Sequence, residues 1–155
     1  SKIFEKAKSE GLGITVHSGE EDVPKAPEYV RDAIDYLGAQ RIGHGLQIHR
    51  DEEMMNYVKD KGIVLELCPT SNWLTNAVKD LRDHPFRKLM EFGIHTTINS
   101  DDPGCFNIDL TNEYKVLADL HQMTEEEFNM CNDYAASASF IPLEEKQKHW
   151  PRPIK

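Results

Sequence analysis

The sequence predicts an α/β fold built on a parallel sheet, and three observations support this fold class. Amphipathic helical stretches alternate four times with short aliphatic strands. A glycine follows each of these helical stretches, at the place where a helix C-terminus favours a positive φ. The strand starts are separated by 27, 22 and 32 residues, which suits right-handed βα units.

The spacing of the units predicts part of a (β/α)8 TIM barrel. One unit of such a barrel takes about 30 residues, and a complete barrel takes roughly 250. Because the chain has 155 residues, we expect about half of a barrel: four parallel βα units plus C-terminal helices. A doubly wound open sheet is the alternative, but the sequence has no Gly-x-Gly-x-x-Gly fingerprint.

Each element has its own local signal. Asp51 is a suitable N-cap for the third helix, and residues 63–67 form the clearest strand. Since a barrel covers both faces of its sheet, we expect such a strand to be apolar on both faces. After Asp102 the pattern changes to helices alone, and Thr124 with Glu127 forms a capping box. The predicted helices lie at 3–9, 28–37, 51–61, 85–92, 110–120, 124–137 and 143–149, and the predicted strands at 14–17, 41–44, 63–67 and 95–98.

Composition excludes several classes of partner. The chain has 27 acidic and 18 basic residues, which give a net charge of −9, and it has no basic stripe. We therefore expect neither nucleic acid nor an anionic membrane as a partner. No apolar run approaches the roughly 20 residues that a membrane span needs.

The cysteines indicate a reducing compartment. Cys68, Cys105 and Cys131 are odd in number and widely spaced. This pattern predicts free thiols and a cytoplasmic location. The sequence has no Cys-x-x-Cys pair, so a thiolate zinc site is not expected.

Polar clusters follow the four predicted strands, at the edge of the sheet where barrel enzymes carry their chemistry. Histidines and carboxylates that converge on one edge indicate metal-assisted hydrolysis. Taken alone, each cluster has an ordinary structural interpretation; Asp101-Asp102-Pro103, for example, is a common turn sequence. Their joint placement at successive strand ends favours a functional role. The histidines outside the clusters are interpreted as structural: His49, His84, His95, His121 and His149.

The strand-end motifs resemble those of the adenosine deaminase family, in the same order and at matching spacing, over essentially the whole chain. The resemblance implies the C-terminal half of a zinc-dependent enzyme that hydrolyses adenosine and 2′-deoxyadenosine to the inosine product and ammonia. Gly43 and Thr70 favour the adenosine branch over related deaminases acting on adenine or AMP. The motifs are Thr15-Val16-His17-Ser18-Gly19-Glu20, Arg41-Ile42-Gly43-His44-Gly45, Leu67-Cys68-Pro69-Thr70-Ser71-Asn72 and Thr97-Ile98-Asn99-Ser100-Asp101-Asp102-Pro103.

The resemblance also implies a role for each site residue. His17 and Asp101 would bind Zn²⁺, which activates a water for attack on purine C6. His44 would hold that water and act as a base or an electrostatic stabiliser. Glu20 would donate a proton to purine N1, so we expect burial or hydrogen bonding to raise its pKa. Asp102 would bind purine N7.

One departure from the family pattern affects function. The family takes two more zinc ligands from a His-x-His pair on its first strand, and this sequence contains no such pair. We therefore expect residues 1–155 to be half of one deaminase barrel domain, with no internal boundary, inactive alone and paired with the missing N-terminal half or with a second copy. The alternatives are a catalytically inactive half-barrel module, or an amidohydrolase acting on another substrate.

Overall fold

A computed structural model describes residues 1–154. Its four strands are all parallel and lie in chain order in one sheet, so each strand pairs with the next one along the sequence. This arrangement is the one that the repeated βα units predict. Lys155, the last residue of the predicted domain, lies outside the described part of the chain. The strands are β1 (Thr15–Ser18), β2 (Arg41–His44), β3 (Val64–Leu67) and β4 (His95–Ile98).

The helices confirm the predicted pattern and, within residues 1–154, add two short α-helices and two 3-10 helices. Gly38 ends the second helix with φ 73°, as a left-handed C-terminal residue requires. The Thr124–Glu127 capping box is present. Two 3-10 helices occupy Leu46–Arg50 and Leu81–Asp83. The helices are α1 (Lys2–Ser9), α2 (Ala26–Leu37), α3 (Glu52–Asp60), α4 (Pro69–Leu74), α5 (Phe86–Phe92), α6 (Pro103–Phe106), α7 (Leu110–His121), α8 (Glu125–Ala138) and α9 (Leu143–His149).

One face of the sheet carries the hydrophobic core. Alternate strand residues such as Ile42 and Leu65 are fully buried against the helices. The helices contribute their apolar sides, including Val30 of α2 and Phe86 of α5. Full burial of one such side chain stabilises the fold by about 1.5–3 kcal/mol, so this layer fixes the strands and the loops that follow them.

The other face of the sheet is polar, so the prediction that the clearest strand is apolar on both faces is wrong. In β3, Leu65 points to the helices and Glu66 to the opposite side, because strand side chains alternate. Glu66 accepts a hydrogen bond of 2.8 Å from Thr15 Oγ1 and lies 3.0 Å from Arg41 Nε. His17 of β1 shares this face, which therefore leads directly to the strand-end clusters.

Helix α8 packs along β4. Thr96 Oγ1 lies 3.8 Å from the Cys131 sulfur, and the His95 ring stacks on Tyr134 with ring centroids 4.2 Å apart. Among residues 1–154, no helix combines the length and the apolar character that crossing a membrane demands. Cys68, Cys105 and Cys131 are free thiols, as predicted.

Candidate active site

The predicted site residues follow the C-terminal ends of the strands. His17 is the third residue of β1, and Glu20 follows it in the loop that leads to α2. His44 ends β2, and Asp101 lies three residues after β4. The structure brings these four side chains together, because parallel strands in register end at one edge of the sheet.

Glu20 is the most connected group of the site. Its Oε1 accepts hydrogen bonds from Thr75 Oγ1 at 2.8 Å and from Asn72 Nδ2 at 3.2 Å. Its Oε2 lies 3.0 Å from His17 Nε2 and 3.6 Å from His44 Nε2. The carboxylate is therefore held by groups from three separate segments, which fixes its orientation.

His44 and Asp101 both adopt the left-handed backbone conformation, with φ of 63° and 59°. Such a conformation costs non-glycine residues about 1–3 kcal/mol and is concentrated at functional sites. It turns the two side chains toward each other, with His44 Nε2 3.9 Å from Asp101 Oδ2. The His44 ring also lies against the His17 ring, with centroids 4.2 Å apart.

The protonation states differ from the sequence prediction at one position. Burial raises the pKa of the Glu20 carboxyl, but the hydrogen bonds from His17 and Thr75 and the electrostatic influence of the His44 ring together lower it more. The expected rise of the Glu20 pKa is therefore not found, and Glu20 is ionised at neutral pH. Burial also lowers the pKa of His44, so this imidazole is neutral and its contact with Glu20 is not an ion pair.

Asp101 and Asp102 are neighbours with different surroundings. Asp101 Oδ2 accepts a hydrogen bond of 2.6 Å from Ser71 Oγ, which orients its carboxylate toward the histidines. Asp102 precedes α6, and its side chain contacts the Cys105 thiol. Of the residues described, Asp102 is outside the set that lines the cleft beside His44, so its contact with a substrate stays a prediction.

An open cleft of about 510 Å³ lies over the strand ends, and its lining includes His17, His44 and Asp101. One ligand atom each from His17, Glu20 and His44 lies within 4.8 Å of the others. Imidazole nitrogens and carboxylate oxygens are ligands that zinc prefers. The donor set therefore fits a divalent metal. A larger cavity of about 820 Å³ lies at the opposite ends of the strands and contains none of these residues.

Four further residues support the site and were not given a role from the sequence. Ser71 and Asn72 belong to the Leu67–Asn72 motif, but nothing in that motif indicates which partners their side chains bind. Thr75 carried no signal at all. His84 was interpreted as structural; it is 3% exposed, and its Nε2 lies 3.1 Å from Asn72 Oδ1, directly behind the site.

Comparisons with known proteins agree with the strand-end motifs. The family model described as adenosine deaminase matches residues 1–150. Adenosine deaminase from Plasmodium gallinaceum is 36% identical over 147 residues, which cover 95% of this chain and 41% of that protein. Among solved structures, adenine deaminase from Arthrobacter aurescens has a TM-score of 0.88 at 26% identity, covering 95% of this chain and 44% of that one. The N6-methyl-AMP deaminase from Arabidopsis thaliana has a TM-score of 0.79 at 29% identity, covering 93% and 41%.

The chain spans 41% of the length of the Plasmodium relative. The match to solved deaminases over nearly all of its length confirms the predicted half of a TIM barrel. The family match extends over all four strand-end clusters. From its sequence and its fold alike, the chain belongs to the adenosine deaminase family.

Proposed function

We propose that this chain is the C-terminal half of a zinc-dependent adenosine deaminase, which hydrolyses adenosine and 2′-deoxyadenosine to the inosine product and ammonia. The observation that supports this proposal best is the convergence of His17, Glu20 and Asp101 around His44 at one strand-end cleft. Carboxylates and imidazoles in such an arrangement suit hydrolysis assisted by a metal.

His17 and Asp101 would hold the metal. The His17 side chain is 64% exposed toward solvent, and Ser71 orients the Asp101 carboxylate. Zinc in such a site lowers the pKa of water toward about 7, which makes a hydroxide available at neutral pH. His44 holds the attacking oxygen. Because the His44 ring is buried, bulk water does not reach that oxygen from the side of the ring.

Glu20 donates a proton to purine N1 in this proposal, which makes C6 a better electrophile. The role needs the protonated carboxyl, and burial already favours that form. The His17 hydrogen bond opposes it. Asp102 binds purine N7.

Residues 1–155 alone are inactive in this proposal, because two further zinc ligands would come from a His-x-His pair that this sequence lacks. His17 and Asp101 alone fall short of the three or more protein ligands that a catalytic zinc site takes. The segment forms one half-barrel domain without an internal boundary and pairs with an N-terminal half or with a second copy. The free, buried Cys68 and Cys131 support a cytoplasmic, reducing location.

A second candidate is deamination of a different purine. The structural relatives include an adenine deaminase and an N6-methyl-AMP deaminase. Both substrates present a purine C6 that carries an amine, methylated in N6-methyl-AMP, and an N1 to Glu20, so the described residues support either reaction. They also differ from adenosine in the sugar and phosphate, which the residues named above do not contact in the proposal.

The test is to purify the full-length protein that carries this segment, remove metal with a chelator and restore it with zinc. Ammonia release is measured with adenosine, 2′-deoxyadenosine, adenine and AMP at equal concentrations. The proposal requires zinc-dependent turnover that is highest with adenosine or 2′-deoxyadenosine. Preference for adenine or AMP would establish the second candidate, and turnover of none of the four would contradict both.

A further inference from the structure

A chain of hydrogen bonds runs from the backbone behind the site to the His44 ring. It begins at the backbone N–H of Phe86, which donates to His84 Nδ1 at 3.1 Å. A backbone N–H can only donate, so Nδ1 of His84 carries no proton. Burial lowers the pKa of His84 to about 3, so the ring is neutral and its single proton is on Nε2.

His84 in turn fixes the Asn72 amide. Its protonated Nε2 lies 3.1 Å from Asn72 Oδ1 and donates to that oxygen. The Asn72 NH₂ group must then point the other way, where Nδ2 lies 3.2 Å from Glu20 Oε1 and 2.9 Å from His44 Nδ1.

Both hydrogens of the Asn72 amide are thereby assigned, one to Glu20 and one to His44. His44 Nδ1 accepts from the Asn72 amide and is therefore bare, so the proton of the ring lies on Nε2. That nitrogen faces two acceptors, Glu20 Oε2 at 3.6 Å and Asp101 Oδ2 at 3.9 Å. The assignment is consistent at every link, from a backbone group that cannot be reversed to the ring in the cleft.

We propose that Asn72 and His84 are positioning residues that lock His44 in the Nε2–H tautomer, so that His44 serves as a hydrogen-bond donor rather than as a base. This inference rests on the proposed function and decides between the two roles that the family resemblance leaves open for His44. A base would need a bare Nε2 facing the attacking oxygen. The locked ring instead donates to that oxygen and stabilises the negative charge that develops there.

The hydrogen bonds that connect His84, Asn72 and His44 are buried, which strengthens their control of the His44 tautomer. Asn72 is fully buried, His44 is 2% exposed and His84 is 3% exposed. Water therefore has little access to the contacts of Asn72 with His84 and with His44 Nδ1, so the donors there must meet acceptors within the protein. The alternative tautomer of His44 would place two donors, the ring Nδ1–H and the Asn72 NH₂, against each other at 2.9 Å.

The direct test is ¹⁵N NMR of histidine rings in the full-length protein, without substrate. Long-range ¹H–¹⁵N spectra distinguish a protonated ring nitrogen from a bare one, and a His44→Gln variant assigns the His44 signals by their loss. We expect a bare Nδ1 and a protonated Nε2 for His44. A protonated Nδ1 with a bare Nε2 would overturn the proposal.

Variants of His84 test the consequence for turnover. His84→Leu removes the donor to Asn72, so we expect mixed tautomers of His44 and a kcat lowered about tenfold or more, with KM within about twofold of wild type. His84→Gln keeps an N–H donor, and we expect it to restore both the single tautomer and most of kcat. A folded His84→Leu variant with an unchanged His44 spectrum and unchanged kcat would contradict the lock.

A matched control is His121→Leu. His121 is also buried, its ring lies 6.4 Å from the His84 ring, and its Nε2 contacts Leu81 O at 2.8 Å, outside the chain of bonds. It should leave the His44 tautomer unchanged. The NMR result needs no purine substrate, so failure of the proposed function and failure of the lock are distinguished. A locked tautomer without purine turnover refutes the function alone, and turnover with a protonated Nδ1 refutes the lock alone.

Discussion

Replacement of Glu20 by glutamine tests the proposed proton donor. The side chain keeps its size, and the amide oxygen can still accept from Thr75 and Asn72, at 2.8 Å and 3.2 Å in the wild-type chain. The NH₂ group would take the place of Oε2 beside the His17 ring, whose Nε2 can accept from it when it carries no proton. The variant should therefore fold, with about 1 kcal/mol less stability because two charge-assisted hydrogen bonds become neutral ones.

The effect on turnover should be much larger than the effect on stability. An amide cannot give a proton to purine N1, and a positioned general acid contributes about 10²- to 10⁴-fold to rate. At about 1.36 kcal/mol per factor of ten, the activation free energy should rise by about 2.7–5.4 kcal/mol. Zinc content and KM should change little, because Glu20 is proposed as a proton donor and not as a ligand.

The assay measures kcat and KM for adenosine in the full-length protein, with zinc content by atomic absorption and stability by denaturant unfolding. Glu21→Gln is the matched control, since it makes the same change at the exposed neighbouring residue. A Glu20→Gln protein that retains kcat within about tenfold of wild type, with normal zinc, would refute the proton-donor role.

Three further predictions concern metal, acid stability and backbone strain. His17→Ala and Asp101→Ala should each lower zinc content and deamination together in the full-length protein. The His84 pKa is lowered from 6.5 to about 3 by burial, so the unfolded state binds more protons below pH 6.5. Stability should therefore fall from about pH 6.5 toward pH 3, by up to about 1.4 kcal/mol per pH unit, and His84→Gln should flatten this dependence in urea unfolding. Gly45→Ala should destabilise by about 2–3 kcal/mol, since φ is 69° and the new Cβ would lie 2.7 Å from Leu65 Cδ2.

Each of these predictions has an outcome that contradicts it. Zinc retained at the wild-type level in Asp101→Ala would remove Asp101 from the ligand set. If the free energy of unfolding falls equally steeply with decreasing pH in His84→Gln, a group other than His84 causes the loss of stability. For the glycine, Gly62→Ala has φ 64° but no atom within 4 Å of the new Cβ, so it should cost only about 1–2 kcal/mol. Gly104→Ala has neither feature and should be neutral or slightly stabilising.

Strand positions were predictable because the alternation of helix, glycine and aliphatic run has a direct physical cause. β2 and β4 occupy the predicted residues, and β1 and β3 begin one residue later than predicted. The short helices α4 and α6, which begin at Pro69 and Pro103, were not predicted. A proline has no backbone N–H to donate, so a proline that follows a strand also suits the first position of a helix.

The polar face of the sheet could not be predicted from strand length and composition. A run such as Val64-Leu65-Glu66-Leu67 has one charged residue, and its partners lie on other strands. Only the register brings Glu66 beside Arg41 and Thr15. Exposing this polar face of the sheet to water therefore costs less free energy than exposing a fully apolar face. The isolated half barrel is destabilised less as a result.

The sequence by itself determined the fold class, the family and the meeting of His17, Glu20, His44 and Asp101. Parallel strands end at one edge, so residues at strand ends are brought together by topology alone. The tertiary structure decided how those groups are protonated and oriented. Glu20 meets Asn72 and Thr75 from 52 and 55 residues away, and His84 reaches the site through Asn72. A pKa and a tautomer depend on atoms within a few ångströms, and no local sequence pattern specifies which distant side chains supply them.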